Sequence, residues 1–250
     1  MTNLELAWET ARARFDAGWR PDHLLGDNTK LVKGEKFGRR CLGLSLAPAD
    51  ISGYEICASR SPTCSDHCIF TSGRGPIHSV MWGRIARTIW FFEDRPSFLA
   101  QLVKEIDRNQ DAAIRLNVFS DWMWERQRID GHRNIMERFP QVQFYDYTKH
   151  FKRMLRDQPD NYHLTFSLHE TNSKQALTVL KKGKNVAAIT TTREGTLFGY
   201  PVIDGEEHDL RFLDPSPCVV GLVPKGTMKT SNNQEMIYVP ELNTSMSEAA

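Results

Sequence analysis

Seven consecutive segments between residues 112 and 192 alternate between strand-like and helix-like patterns, and this alternation narrows the possible folds more than any other feature. The strand-like segments are short apolar runs, whereas the helix-like segments carry apolar residues at helical spacing. In chain order they read AAIRLNVFSD, GHRNIMERFP, VQFYDYTKH, FKRMLRD, YHLTFSLHE, SKQALTVLKKG and NVAAITTT. Connections this short between largely apolar strands require parallel strands covered by helices. The alternation therefore predicts an α/β fold with either a wound parallel sheet or a barrel.

The length of the chain predicts one domain built around this region. A chain of 250 residues is about what one α/β barrel needs. We expect a parallel (β/α) full or partial barrel, similar to a TIM barrel, in a single domain over residues 1–250. Its expected parts are an N-terminal helix region (1–27), a barrel-like core (28–226) and a C-terminal extension (227–250) that ends in a frayed tail (243–250).

The segments on either side of the alternating region also carry recognisable patterns. Two helices are predicted between residues 77 and 108, with a break near Asp94, where DRPSF resembles a cap followed by a proline at a helix start. Short strands are predicted in YPVIDG, LRFLD and CVVGLVPKG.

The charge balance and the N-terminal segment bear on the partners and the location expected for this protein. Lys and Arg number 32 against 31 for Asp and Glu, so no overall basic field favours binding to nucleic acid or to a membrane surface. The N-terminal segment MTNLELAWETARARFDAGW lacks the apolar run of a signal peptide, and no stretch is long enough to span a membrane. We expect a cytoplasmic protein without a membrane partner. Nucleic acid remains a conceivable partner that the net charge does not support.

Three of the five cysteines lie within twelve residues, separated by six and then three residues. They are Cys57, Cys64 and Cys68. An odd number of cysteines without a secretion signal argues against a disulfide framework and favours metal binding or thiol reactivity. The residues between them are mostly polar, which predicts a loop whose thiols converge on a metal. Both an iron–sulfur cluster and zinc suit thiolate ligands. Zinc needs a fourth ligand, for which His67, His78 and Cys41 are candidates.

Polar side chains follow the predicted strands, at the edge where parallel α/β folds bind their ligands. Helix caps account for roughly half of such positions, but Lys149, His169 and Glu170 are poor capping residues and therefore carry more functional weight. Arg74 lies in TSGRGP, a glycine-flanked turn before a helix that suits a phosphate or carboxylate. The predicted catalytic residues are Lys149, Asp146, His169 and Glu170, and the predicted cofactor-binding residues are Asn117, Ser120, Asp121 and Arg74.

The cysteine loop directly after the first strand of an apparent barrel resembles the cluster loop of radical S-adenosylmethionine enzymes. The common pattern of that superfamily has three and then two residues between its cysteines, so this chain resembles a divergent member. The resemblance implies an iron–sulfur cluster on Cys57, Cys64 and Cys68 whose open iron binds S-adenosylmethionine. It also implies that Ser120 and Asp121 bind the methionyl amino group. Glu170 or His169 is implied to bind the ribose.

A second resemblance covers residues 28 to about 226. Its matching phrases are NTKLVKG, the cysteine loop, TSGRG, ARTIWFFEDRPSF, RLNVFSD, FYDYTK, LTFSLHE and VIDGEEHDLRFLDP. Together they resemble the gene product 88 family of bacteriophage proteins, in which proline usually follows the first cysteine, where this chain has Ala58. This resemblance implies a phage or prophage source, and thus the host cytoplasm, but no activity.

These observations favour a phage-type iron–sulfur protein, a radical S-adenosylmethionine-like enzyme that acts on an unknown substrate. One alternative is a zinc-stabilised barrel that binds nucleic acid or a host factor. Another is a metal-independent hydrolase that uses Asp121, Asp146, Glu170 and Asp204 with Lys149 as acid and base groups. Arginines interleaved with aromatics around Trp90 resemble a single-strand nucleic-acid surface, but core packing explains them as well.

Overall fold

Within the described residues, ten strands form one sheet and seven α-helices accompany it. The structure is a computed structural model that describes residues 1–231 and 235–242. The helices are α1 (Asn3–Asp16), α2 (Pro62–Asp66), α3 (His78–Glu93), α4 (Arg95–Asp107), α5 (Ile135–Arg138), α6 (Phe151–Met154) and α7 (Ser173–Lys181). The strands are β1 (Leu25–Gly26), β2 (Cys41–Leu44), β3 (Ala113–Arg115), β4 (Phe144–Thr148), β5 (Tyr162–Ser167), β6 (Val186–Thr190), β7 (Thr196–Leu197), β8 (Tyr200–Asp204), β9 (Val219–Leu222) and β10 (Ile237–Tyr238). Short 3-10 helices cover Leu31–Phe37, Ile69–Thr71, Trp124–Arg126, Arg211–Leu213 and Gly226–Lys229.

The sheet is mostly parallel and open. Hydrogen bonds connect the strands in the order β1-β2-β3-β4-β5-β6-β9-β8-β7, and β10 pairs with β6. All neighbours from β2 to β8 along this path are parallel, whereas the edge strands β1 and β7 pair antiparallel. The prediction of a parallel α/β fold is thereby confirmed. Closure of the sheet into a barrel stays a prediction.

Local signals explain where several elements begin and end. The side chain of Thr2 accepts a hydrogen bond from the backbone of Glu5, and the Glu5 carboxylate accepts one from the backbone of Thr2, a capping box that starts α1. Asp94 caps α4, whose second residue is Pro96, so the predicted helix break near Asp94 is confirmed. The predicted strand in LRFLD is wrong, because Arg211–Leu213 forms a 3-10 turn. The predicted tail at 243–250 lies outside the described residues.

The two faces of the sheet have different coverings. On one face, Ile114, Phe144 and Phe166 pack with helix residues such as Ile85 and Phe98 in the main core. The opposite face carries two small apolar clusters. One of them is formed by Leu31, Cys41, Ala113, Tyr145 and Leu210, and the other by Ala187, Cys218 and Val220. Leu210 belongs to the segment after β8, so this segment covers the second face near the strand starts. We call this second face the inner face.

The arginines and aromatics of α3 and α4 pack in the interior. The guanidinium of Arg95 lies 4.6 Å from the ring centre of Phe91, and that of Arg84 lies 4.1 Å from the ring centre of Phe119. Trp90 and Phe91 are buried. Cation–π contacts of this kind cover apolar rings within a fold. Core packing therefore accounts for this segment.

None of the described helices combines the length and hydropathy needed to cross a membrane.

Arg153 joins three parts of the chain below the carboxyl ends of the strands. Its fully buried guanidinium donates to the carboxylates of Asp121 (3.0 Å) and Glu125 (2.8 and 2.9 Å) and to the hydroxyl of Tyr162 (2.5 Å). Two carboxylates surround one cation, and each nitrogen of the guanidinium has a hydrogen-bond partner. Removing the cation would leave buried anions without compensation.

The substitution Arg153→Met tests this network. We expect it to lower the free energy of unfolding by about 3–5 kcal/mol, because breaking a buried ion pair from one side leaves uncompensated charge. Urea unfolding followed by circular dichroism measures the change. Arg138→Met is the matched control, since the Arg138–Asp130 pair is exposed at the surface and is expected to contribute less than about 1 kcal/mol. Equal losses in the two variants would contradict the role given to Arg153.

Candidate functional site

A cavity of about 410 Å³ lies at the carboxyl ends of the parallel strands. Its wall contains all three cysteines of the predicted metal set, which come from the loop after β2. Other predicted site residues in the wall are Asn117, Ser120 and Asp121 after β3 and Lys149 after β4. The structure therefore brings the cysteine loop and two strand ends together in one place, as expected for a parallel fold.

Glu170 anchors the cysteine loop from outside the cavity wall. The hydroxyl of Ser61 donates to the Glu170 carboxylate (2.8 Å), and the backbone amide of Thr63 donates to its other oxygen (3.2 Å). The same Ser61 hydroxyl accepts from the backbone amide of Cys64 (3.2 Å) and caps α2, the short helix within the loop. Burial opposes ionisation of Glu170, but its hydrogen bonds with Ser61 and Thr63 lower its pKa below the usual value. Glu170 thus fixes the loop to the end of β5.

Two thiols of the loop, those of Cys57 and Cys68, are held mainly in their protonated form. Burial raises the pKa of Cys57 to about 12, and its thiol donates to the carbonyl of Phe119 (3.6 Å). Burial also raises the pKa of Cys68 above its usual value. In the part of the chain that the structure describes, no group of three or more His, Cys, Asp or Glu side chains is arranged to hold a metal ion. Binding of a metal by all three sulfurs would therefore release protons and rearrange the loop.

Lys149 places a cation beside this loop. Burial disfavours its charged form, yet interactions with Cys64 and Asp121 raise the pKa of Lys149 above its usual value. The backbone amide of Lys149 donates to Asp121 (2.8 Å), whose second oxygen accepts from Arg153 (3.0 Å). The ammonium group is therefore charged at neutral pH and lies where it stabilises a neighbouring thiolate.

Asn117 and Ser120 organise the loop after β3. The amide oxygen of Asn117 accepts from the Ser120 hydroxyl (2.8 Å) and the Trp122 amide (2.9 Å). Its NH2 group donates to the Trp122 carbonyl (3.0 Å) and to Asp146 (3.1 Å). All four hydrogen-bonding positions of the Asn117 side chain are thus in use. Asn117 shapes the cavity wall and leaves Asp121 as the better candidate ligand group from this loop.

Asp146 lies on the other face of the sheet from Lys149. Side chains alternate along a strand, so Tyr145, Tyr147 and Lys149 share the inner face, whereas Asp146 points toward the helices. Asp146 is fully buried and accepts hydrogen bonds from the Asn117 backbone amide (2.6 Å) and the Tyr162 hydroxyl (2.7 Å). It is not among the residues of the cavity wall. The structure therefore separates Asp146 from the other predicted catalytic residue of its strand end.

The other candidate residues divide between the cavity and its surroundings. His169 lies behind the wall, where burial lowers its pKa, and Arg74 is exposed outside it. His67 lines the cavity, and its Nδ1 is 3.0 Å from the hydroxyl of Thr227. His78 lies at the start of α3, outside the cavity wall. Cys41 is buried at the start of β2, in the cluster near the strand starts, and the structure does not bring it to the three loop cysteines.

The sequence analysis missed a charged cluster on the inner face. Asp209 is fully buried and pairs with Lys30 (3.2 Å) and Arg115 (2.8 Å). Burial disfavours the Asp209 carboxylate, yet Arg115, Lys30 and Arg211 lower its pKa below the usual value. Lys30 and Arg115 also line the cavity. The one available signal was the alternation of Arg115 with apolar neighbours in a predicted strand, since a cation inside a sheet requires a partner.

The fold and the site together define a class of α/β protein in which a cysteine loop and a half-buried lysine meet over the ends of parallel strands. Residues 23–238 match the model of the family described as Gene product 88, and the chain belongs to this family. No curated protein and no solved structure matches the chain. These comparisons do not support the resemblance to radical S-adenosylmethionine enzymes, which rests on the cysteine loop alone.

The pH dependence of stability tests the environment of Asp146. Burial raises the pKa of Asp146 from 3.8 to about 7 in the folded protein, so protonation of this group favours folding. Its contribution to stability is complete below about pH 4 and is lost as the pH rises through about 7. We expect wild-type protein to lose more thermal stability over this interval than the Asp146→Asn variant, as measured by scanning calorimetry. Asp204→Asn, at an exposed carboxylate, serves as the control, and identical pH profiles for all three proteins would contradict the assignment.

Proposed function

We propose that this protein is a phage-encoded iron–sulfur enzyme of the radical S-adenosylmethionine type, acting on a small-molecule substrate in the host cytoplasm. The observation that carries the proposal is that three thiols line one cavity at the ends of parallel strands, beside the half-buried side chain of Lys149. A cluster with three protein ligands keeps one iron open to a small molecule. A cavity that is shielded from water suits such reactive chemistry.

The donor set fits a sulfur-ligated cluster. Cys57, Cys64 and Cys68 are the cysteines of the cavity wall, and thiolates are the ligands that iron–sulfur clusters use. Bringing these thiols into their charged form requires compensation, because burial raises the pKa of Cys57 and Cys68. Lys149 supplies a positive charge at this point of the wall. When bound, a four-iron cluster supplies one-electron reduction of the molecule on its open iron.

Asp121 is the residue we assign to the amino group of S-adenosylmethionine. Its two oxygens each accept one hydrogen bond, from Lys149 and from Arg153, and a carboxylate oxygen has room for a second. The carboxylate therefore stays oriented by the protein while it faces the cavity. Ser120 contributes through the shape of the loop, and Glu170 acts as a positioning residue for the cysteines. His169 and Asp146 are not needed in this scheme.

The order of the strands supports our proposal that the parallel sheet curves into a partial barrel. Strands β2 to β6 follow one another in the sheet in their chain order. Right-handed crossovers between successive neighbouring strands bring all the connecting helices to one face. The opposite, inner face then becomes concave and accommodates ligands at the carboxyl ends of the strands, as in (β/α) barrels.

Anaerobic reconstitution with iron and sulfide tests the proposal. We expect a brown protein with broad visible absorption and about four irons per chain. Alanine substitution of any one of the three loop cysteines is expected to reduce the iron content severalfold, because each sulfur would supply one of the three protein ligands of the cluster. Cys218→Ala is the matched control, since Cys218 is buried in an inner-face cluster away from the cavity wall and is expected to leave the iron content unchanged.

The same preparation distinguishes the two alternatives. A colourless protein with stoichiometric zinc would support a zinc-stabilised binding protein and overturn the cluster. A metal-free protein with hydrolytic activity would support the use of Asp121 and Lys149 in acid–base chemistry. Equal iron content in wild-type protein and in the loop cysteine variants would contradict the proposed ligands.

Glu170→Gln tests the anchoring of the loop. The Ser61 hydroxyl and the Thr63 amide donate to different oxygens of Glu170, and glutamine replaces one of these two acceptors with an NH2 donor, so one of the two hydrogen bonds is lost in this orientation. We expect iron affinity to fall about 10- to 100-fold, as for other residues that orient metal ligands, while the visible spectrum at saturating iron stays unchanged. Competition with a chelator measures the affinity, and Glu207→Gln at an exposed position is the control. A changed spectrum would instead indicate that Glu170 contacts the cluster.

A further inference from the structure

The inner part of the cavity wall is built from cations that the proposed cluster chemistry does not use. Lys30, Arg115 and Tyr147 line the cavity on the inner face of the sheet. Arg115 and Tyr147 are paired with Asp209, the guanidinium at 2.8 Å and the phenol hydroxyl at 3.3 Å. The ammonium of Lys30 lies 3.2 Å from the Asp209 oxygen that also accepts the hydrogen bond from Tyr147. One buried anion therefore serves two cations.

The local charges do not balance. Arg211 pairs with Asp214 (3.3 Å), which leaves Lys30 and Arg115 to share the single negative charge of Asp209. The remaining cations of the wall have partners of their own. Lys225 pairs with Glu206, and Arg60 pairs with Asp50 and Glu55, whereas the Lys149 ammonium interacts with Cys64 and Asp121. Lys30 and Arg115 are thus two basic side chains that share one carboxylate, and burial lowers the pKa of Lys30 below its usual value, so an anion bound beside it would favour its charged form.

Arg115 also has an unused donor. Its side chain is nine-tenths buried, and its Nε has no hydrogen-bond partner among the described residues. A buried N–H group of this kind costs free energy unless a ligand or a water satisfies it. The guanidinium packs over the ring of Tyr147, 4.6 Å from its centre, so its orientation is fixed. A planar, oriented guanidinium suits an oxyanion, which it binds through two parallel hydrogen bonds.

The position of this group relates it to the cysteines. Arg115 and Tyr147 precede Asn117 and Lys149 by two residues along their strands, which corresponds to about 7 Å along the sheet. Lys30 and Arg115 therefore lie one layer of side chains further toward the strand starts than the cysteine loop. A ligand that reaches both layers has an anionic end at Arg115 and its reacting part near the cysteines.

We infer that Lys30 and Arg115 bind an anionic oxygen group of the substrate, a phosphate or a carboxylate. As a statement about the substrate, this inference rests on the proposed function. As a statement about anion binding, it holds for the protein without iron. The two can therefore fail separately.

The experiment titrates inorganic phosphate and, in a parallel arm, acetate into iron-free full-length protein, with chloride keeping the ionic strength constant. The unfolding temperature reports binding. We expect saturable stabilisation by one or both anions, and the stronger of the two identifies the group. Lys30→Met is expected to weaken binding at least tenfold, whereas Lys36→Met, at an exposed lysine of the 3-10 helix that follows Lys30, leaves it unchanged.

A second variant controls for the case in which Lys30→Met fails to fold. Arg115→Lys keeps the charge beside Asp209 but loses the planar pair of donors, so we expect at least tenfold weaker binding in a folded protein. Stabilisation no greater than that of chloride, or equal affinity in wild-type protein and both cavity variants, would overturn the inference. Anion binding in a protein that never takes up iron would retain this site and reject the proposed cluster.

Discussion

The alternation of side chains along a strand is the constraint on which this site depends. On β4 it sends Tyr145, Tyr147 and Lys149 to the inner face and Asp146 to the helices. A shift of β4 by one residue would exchange the two sets of side chains. The ammonium of Lys149 would then face the apolar helices, and Phe144 would leave the main core. The parallel register with β5 holds this arrangement, because each strand is fixed by hydrogen bonds to its neighbours.

Buried charges hold the strand ends together in this fold. Arg153 gathers two carboxylates and a tyrosine hydroxyl, and its contact with Asp121 brings the loop after β3 against the end of β4. Glu170 performs the corresponding task for the cysteine loop at the end of β5. The cavity wall is thus assembled by charge-assisted hydrogen bonds, which fix direction more strictly than apolar packing does.

The sequence predicts the architecture well, because parallel strands and covering helices each impose a period on apolar residues. Helix breaks with Asp94 and Pro96 follow equally local rules. The grouping of the cysteines with Asp121 and Lys149 follows from topology, since carboxyl ends of parallel strands meet at one edge. Two features escape such reasoning. Whether Glu170 faces the cavity or anchors a loop depends on contacts more than 100 residues apart. The pairing of Asp209 with Arg115 likewise joins segments that no local pattern relates.

The two layers of side chains on the inner face would distinguish ligands by their length. The distance between the two layers equals two residues along β3 and β4, and backbone geometry sets this distance. A compound shorter than this distance, about 7 Å, could bind at either layer but could not contact both layers at once. Molecular length would then be a criterion by which the cavity selects its ligands.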